Sequence, residues 1–415
     1  MRIAIIGSGI AGLTCAHVLG RHHDVTVFER DERPGGHAHT VDVRIGGEEH
    51  AVDTGFIVYN ERNYPGLTKL FARLGVATKP SDMTFSVSDT RTGLEWSSSS
   101  LSSVFAQRRN ALRPTFLAML TDIASFNRRA RQLLSQVDAG SMSVRNLLDD
   151  GPWGDRFVDW YLAPMVSAIW SAPLADALDV PAQTFARFFD NHGLLTLNDR
   201  PQWRTVEGGS RRYVERITAP LGRRLRLGTP VTKVARRRDV VEVHSDEFGP
   251  ESFDHVILAA HSDQSLEMLS DPTPTEREVL GAIRYQNNSV ALHVDDAMLP
   301  RARRARGSWN YRIDGTNAGA TVTYHMNRLQ SIDSRHEICV TLNQTSQIAP
   351  DKVLAQFDYA HPVLDAQAVA AQNRLDEING QNATWFCGAY WGYGFHEDGV
   401  QSALRVCRAL GADWT

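Results

Sequence analysis

The sequence predicts an α/β protein, α+β overall: a discontinuous Rossmann-like domain carrying an inserted domain of helices and antiparallel sheet. Three observations predict it. A β-branched run, residues 2–6, feeds directly into Gly7-Ser8-Gly9-Ile10-Ala11-Gly12. A helix-like stretch then reaches Gly20 and returns to a second apolar run, Val25-Thr26-Val27-Phe28, closed by Glu29. Strand-and-helix alternation of this kind resumes only after Val206 and again at Thr384, so one nucleotide-binding unit is assembled from separated segments.

Each part of the first unit has a physical role. Gly7 permits a tight turn, Gly9 lets backbone approach a pyrophosphate, and Gly12 lets the helix pack closely on the strand. The helix start offers unpaired N–H groups and a positive dipole end to phosphate. Glu29, seventeen residues after Gly12, is placed to accept hydrogen bonds from ribose hydroxyls. A glycine turn alone is a weak signal. Strand, turn, helix, strand and acid in order make a dinucleotide site, and FAD and NAD both use such a unit.

Further along, Tyr64 to Leu74 reads as a helix, with Pro65 in its first turn, Leu67, Leu70 and Phe71 on one face, and Gly75 at its end. Residues 81–100 read as strands and turns. Pro114 opens a long amphipathic helix through Phe116, Leu120, Ile123, Ala130 and Leu134. Residues 153–195 are aromatic-rich and helical in tendency. Gly208-Gly209 precedes a helix, residues 230–234 and 240–243 alternate as a hairpin, and residues 254–260 form a buried strand. Thr384 to Gly388 is a strand leading into an aromatic glycine loop, with Asp398 capping a final helix, 399–410. These features divide the chain into a cofactor domain (1–60, 204–268 and 375–415) and a substrate domain (61–203 and 269–374).

Composition excludes several classes. Hydrophobic residues are 42% and charged residues 22% of 415, which rules out a disordered or fibrous chain. No apolar run is long enough for a transmembrane helix, and the N-terminal run stops at Gly7 without a secretory pattern. The four cysteines, Cys15, Cys339, Cys387 and Cys407, form no Cys-x-x-Cys pair and no metal-ligand spacing. A reducing, cytoplasmic setting with no metal site is expected. The net charge of −4 argues against nucleic-acid binding. Residues 200–238 are rich in arginine and read best as a solvated face, with an anionic partner or peripheral membrane contact as the functional alternative.

The residues after Glu29, Arg30-Asp31-Glu32-Arg33-Pro34-Gly35-Gly36-His37, resemble the flavin amine oxidase superfamily, which includes monoamine oxidases, protoporphyrinogen oxidases and carotenoid desaturases. That resemblance implies noncovalent FAD, with the second glycine pair wrapping its pyrophosphate. It extends to Asp53-Thr54-Gly55-Phe56-Ile57 beside the flavin ring, Gly208-Gly209-Ser210, Val231 at the adenine, and Gly388 with Glu397-Asp398-Gly399-Val400 at the flavin edge. The implied FAD contacts are Gly7, Ser8, Gly9, Ile10, Ala11, Gly12, Glu29, Arg30, Arg33, Gly35, Gly36, His37, Gly55, Phe56, Val231, Gly388, Glu397, Asp398 and Val400. His37 stands where the family usually has Arg, and Ala389 where it usually has an acid. The strings 52–62 and 386–399 look like a bacterial subgroup of FAD-dependent oxidoreductases often encoded beside cyclopropane-fatty-acid synthase-like methyltransferases. Lipid chemistry, and a methyltransferase as partner, follow as implications of that likeness.

No second Gly-x-Gly-x-x-Gly occurs, so electrons are expected to pass from substrate to flavin N5 and then to oxygen or another acceptor. Hydride transfer needs orientation more than an acid or base, and no catalytic residue is assigned. Tyr390, Trp391, Tyr393 and His396 are the substrate-facing candidates, followed by Trp309 and Tyr324; aromatic rings can hold an acyl chain or a cation, and equally can pack a domain interface. Three readings stand: oxidation of an apolar, fatty-acyl or lipid-derived substrate, an amine oxidase releasing peroxide, and a non-redox FAD-binding partner of a methyltransferase.

Overall fold

The computed structural model describes residues 1–135, 142–171, 178–196, 200–238, 240–315 and 320–414. β1 (Arg2–Ile6), α1 (Ile10–Leu19) and β2 (Asp24–Phe28) form the first βαβ unit. β1 lies at the centre of a five-stranded parallel sheet. It pairs with β2 on one side and with His255–Leu258 on the other, and Leu225–Arg226 and Thr384–Phe386 form the edges. Strands from residues 2–28, 225–258 and 384–386 thus meet in one sheet.

α1 is buried along nearly its whole length. A helix that is apolar all round needs cover on both sides. The sheet supplies one side and the C-terminal helix, His396–Ala409, the other. That helix begins at His396, not at Gly399, because Asp398 lies inside its first turn and accepts a hydrogen bond from Phe395 N–H at 2.9 Å.

The second sheet has seven strands, in the order 353–362, 285–293, 339–342, 322–325, 309–313, 85–89, 94–97. All neighbours are antiparallel except Trp309–Ile313 with Phe85–Asp89. Helices Pro114–Leu133, Asp155–Phe157, Ala163–Trp170 and Ala182–Asn191 cover one part of it, burying Phe116, Phe126, Phe157, Phe185 and Phe189 in one core with Trp96, Tyr311 and Val322. A π-helical turn, Val158–Leu162, interrupts the helical run before Ala163. The hairpin Thr40–Ile45 with Glu48–Asp53 packs Ile45 and Val52 on Val290, Leu292 and Val340 elsewhere on the sheet.

Packing cuts across the sequence-based boundaries. α2 (Pro65–Leu74), expected with the substrate domain, buries Leu67, Leu70 and Phe71 against Val400 and Tyr213 beside α1. Residues 274–283 and 366–378, also expected there, bury Val279, Leu280, Ala368 and Leu375 against Val256, Leu258 and Phe386 of the parallel sheet. The reason is tertiary: each apolar face is covered by an element other than its chain neighbours, in the case of α2 by Tyr213 and Val400, far along the sequence.

Six arginines of the arginine-rich stretch 200–238 are paired with carboxylates of the same chain. Arg204 pairs with Glu61, Arg211 with Asp42, Arg212 with Glu215, Arg226 with Glu251, Arg236 with Asp271 and Glu276, and Arg237 with Glu242.

Candidate functional site

The site begins at the turn after β1. Gly7 has φ +105°, and a Cβ there would lie 2.8 Å from the Ala259 carbonyl oxygen. A Cβ on Gly12 would collide with the Gly7 carbonyl. Gly9 differs: a Cβ there meets nothing within 4 Å. No side chain caps α1 at Gly9, and its first turn holds no acid. The helix start is therefore a cradle with open space in front of unoccupied donors, as a phosphate requires.

The second glycine pair lies directly against the first. Gly35 N–H donates to the Ser8 carbonyl at 3.0 Å. Gly36 has φ +56°, and its Cβ would sit 3.2 Å from Gly9 Cα. Arg33 Nη1 and His37 Nε2 are buried without a hydrogen-bond partner. Buried donors are rarely left orphaned, and here they flank the phosphate cradle. Glu29 is buried and accepts from Ser8 N–H at 2.9 Å, Ser8 Oγ at 2.6 Å and Asp31 N–H at 3.0 Å. Arg30 instead points to solvent and pairs with Asp31 at 3.6 Å. Val231 opens the antiparallel strand Val231–Arg236, half-buried beside the parallel-sheet core.

The C-terminal helix closes the cradle from the other side. A Cβ on Gly399 would meet Ile10 Cγ2 at 2.8 Å and Ala11 N at 3.7 Å, so the first turns of the two helices abut. Val400 is buried there, and Gly388 N–H donates to Ser402 Oγ at 3.1 Å. Glu397 and Asp398, expected at the cofactor, are engaged by backbone. Glu397 accepts from Gly66 and Leu67 N–H at 2.9 Å each and so caps α2, while Asp398 caps its own helix.

The segment expected beside the ring is held by Asp53, which sequence reasoning left without a role. Its carboxylate is fully buried. It accepts from Thr40 Oγ1 at 2.6 Å, Ser210 N–H and Oγ at 2.8 Å, and Gln330 Nε2 at 3.0 Å. Gln330 Oε1 accepts from Asp53 N–H at 2.8 Å. Burial lifts the carboxyl to about 6 against the pull of those hydrogen bonds. Two residues on, Gly55 passes the His37 carbonyl so closely that any Cβ would collide, and Phe56 N–H donates to that carbonyl at 2.8 Å. The Phe56 ring stacks on His396 at 3.7 Å and 18°, and His396 Nε2 pairs with Tyr213 Oη at 3.1 Å.

The six aromatic and histidine candidates are not brought together. Tyr390 and Trp391 turn into the parallel-sheet core, where Gln372 Nε2 donates to the carbonyls of Tyr390 and Gly392 at 2.8 and 2.7 Å. Tyr393 turns the other way, onto Phe188 at 5.5 Å. His396 is buried under Phe56. Trp309 and Tyr324 cross edge-on at 5.1 Å on the seven-stranded sheet. The chain direction reverses through Gly392 and Gly394, the latter at φ +91°.

Two clusters were missed. Phe395 and His192 both stack on Phe188, at 5.2 and 3.9 Å, and His192 stacks on Trp203 at 5.9 Å. A cavity of about 800 Å³ lies beside this row, lined by Arg62, Asn63, Pro65, Asp190, Gly193 and Glu397. The second cluster sits where the edge strand Val353–Pro362 meets the turn after Gly36. His37 faces Tyr359 at 5.0 Å and His361 at 5.3 Å. Tyr359 Oη pairs with His39 Nδ1 and Thr54 Oγ1, both at 2.8 Å. The alternation Phe357, Tyr359, His361 along one strand face was a readable signal.

Seven histidines are pushed well below their ordinary value by burial: His37, His39, His192, His261 and His293 to about 4, His361 and His396 to about 3. Below pH 6.5 the unfolded chain takes up these protons first, so stability falls as pH falls from 6.5 towards 4. Asp53 and Asp398, both raised to about 6, act oppositely, because the folded state holds their protons between about pH 6 and 4. The histidines outnumber them. Thermal melts should therefore show a net drop in stability between pH 6.5 and 4; a rise would contradict the neutral histidine core.

The paired glycine turns, the orphaned donors between them and the abutting C-terminal helix fit FAD and define a FAD-dependent oxidoreductase. The chain belongs to the flavin containing amine oxidoreductase family, whose pattern matches residues 10–319. AofH of Mycobacterium tuberculosis, provisionally named a flavin-containing monoamine oxidase, is 27% identical over 332 residues, 77% of this chain and 67% of that protein. The crystal structure of the CLA-producing fatty acid isomerase from P. acnes aligns with a TM-score of 0.71 at 16% identity, covering 98% of each chain. Cyclohexylamine oxidase from Brevibacterium oxydans aligns at 0.69 and 16% identity, covering 99% of each. At such identities the solved structures define the fold.

Proposed function

We propose that this enzyme oxidises an apolar, lipid-derived substrate by hydride removal, with the electrons passing on to oxygen or another acceptor. Bound in the cradle, FAD supplies the two-electron acceptor. The N–H groups at the start of α1, the Gly35-Gly36 turn, Arg33 and His37 would hold its diphosphate, and Glu29 its ribose. The chain's own part is to orient and to exclude water. Phe56 is fixed by its stack on His396, and His396 by Tyr213, so this wall is rigid and uncharged.

The observation that carries the substrate class is the state of the carboxylates. An alkylammonium in a buried site needs a counterion. Every buried or part-buried carboxylate of the clasp is already engaged: Glu29 by Ser8 and Asp31, Asp53 by Thr40, Ser210 and Gln330, Glu397 by Gly66 and Leu67, and Asp398 by Phe395. The histidines nearby are held neutral. The row Phe395, Phe188, His192 and Trp203, stacked ring on ring, makes an apolar wall without a charge for an alkylammonium. The likeness to the subgroup found beside lipid methyltransferases supports the same class.

The test is anaerobic addition of fatty acids or phospholipid, and separately of primary amines, to the yellow holoenzyme. Loss of the flavin absorbance band with lipid and not with amine is the expected outcome. Bleaching by amines, followed by peroxide release in air, would replace this reading with an amine oxidase.

A further inference from the structure

We propose that the face built from residues 99–117 and 300–306 is a docking surface for an anionic lipid bilayer. Leu101, Leu112 and Leu117 are 80%, 87% and 41% exposed. Isolated exposed leucines are ordinary; three together on a basic face are not.

They belong to one surface. Leu101 opens the turn Leu101–Val104, Leu112 ends the turn Arg108–Leu112, and Leu117 lies in the first turn of the helix that starts at Pro114. Phe105 packs edge-on against Phe116 at 5.9 Å and ties the first turn to that helix. The short turn Arg303–Ala305 packs against Leu101–Val104. Arg301 and Ala302 N–H donate to the Glu95 carboxylate at 2.9 and 2.8 Å.

Six arginines lie on the same two segments as this surface: Arg108, Arg109, Arg113, Arg301, Arg303 and Arg304. Among the described residues none of them forms an ion pair with a carboxylate; Arg109 Nη2 donates only to the Gly93 carbonyl, at 2.9 Å. Neither 98–121 nor 297–313 contains an Asp or Glu. Glu95, beside them, is occupied by backbone N–H. The contrast is with 200–238, where six arginines, Arg204, Arg211, Arg212, Arg226, Arg236 and Arg237, pair with carboxylates. Here the charge is uncompensated and adjoins exposed aliphatic side chains. That pairing fits a bilayer, whose anionic headgroups attract the guanidinium groups while leucines enter the acyl boundary. A nucleic acid would be served by stacking rings in place of leucines. Among the described residues no helix is long and apolar enough to cross a membrane, so the surface engages from one side. The inference does not depend on the substrate.

The test is co-sedimentation of the holoenzyme with vesicles. Binding is expected with phosphatidylglycerol-rich vesicles, weakly or not at all with phosphatidylcholine alone, and reversed at about 1 M salt. The charge-reversed variant Arg108→Glu/Arg109→Glu/Arg113→Glu and the variant Leu101→Ser/Leu112→Ser should each lower partitioning by roughly tenfold or more. Flavin content and melting temperature should stay as in the parent, since Leu101, Arg108, Arg109 and Leu112 are exposed and Arg113 is half-buried without an ion pair among the described residues. No sedimentation with anionic vesicles, or equal sedimentation of the charge-reversed variant, overturns the proposal. Tighter binding to duplex DNA than to the vesicles overturns it too.

Discussion

Gly9→Leu should yield a folded, colourless protein. The backbone at Gly9 has φ −67°, which any residue adopts, and a Cβ there meets nothing, so the fold tolerates the side chain. The added isobutyl group would occupy the space the diphosphate needs. FAD affinity should fall by about 100-fold or more, equivalent to roughly 3 kcal/mol. Gly12→Ala should behave differently, because its methyl runs into the backbone of Gly7. Overpacking of that kind costs about 1–3 kcal/mol or more, and here there is no flexible side chain to give way; poor yield of folded protein is expected. Flavin absorbance per milligram, read beside circular dichroism, separates the two. A Gly9→Leu protein as yellow as its parent would remove the cradle from this turn.

Asp53→Ala should be the most destabilising single change in the clasp that leaves the glycines intact. It strands the hydroxyls of Thr40 and Ser210, the Ser210 amide and the Gln330 amide, all hydrogen-bonded to one buried carboxylate. Breaking a buried polar network from one side costs about 3–5 kcal/mol. The segment carrying Gly55 and Phe56 would lose its anchor, so flavin retention should fall together with the melting temperature. Asp53→Asn keeps the shape and should fall between. An Asp53→Ala protein melting within a degree or two of the parent would refute the anchoring role, since a loss of this size shifts melting by more than about that amount.

The legible part of this molecule was the part whose causes are local. Gly7, Gly9 and Gly12 announce their turn because strand, glycines and helix follow one another within a few residues. Gly35-Gly36 was legible through resemblance, and its position against Gly9 is a matter of tertiary packing. Asp53 illustrates the limit. Its partners Ser210 and Gln330 lie 157 and 277 positions away, and nothing near Asp53 says that they will meet. Asp398 shows a subtler ambiguity: an acid near a helix start can stand at the cap or inside the first turn, and here the structure chose the second. The aromatic loop left two readings open, a substrate wall or interface packing, for a third reason. Tyr390, Trp391 and Tyr393 look equivalent in sequence, but the turn at Gly392 and Gly394 sends them to different cores.

The abutment of Gly399 on Ile10 has a consequence for biogenesis. During synthesis on the ribosome the glycine turn at residues 7–12 emerges first, and its facing helix, His396–Ala409, and the edge strand Thr384–Phe386 are made only after the intervening residues 13–383. A nascent chain therefore cannot complete the clasp before His396–Ala409 has been made, and coenzyme loading must await that helix. Truncated or stalled products should emerge without pigment, which makes colour itself a report on whether synthesis reached that far.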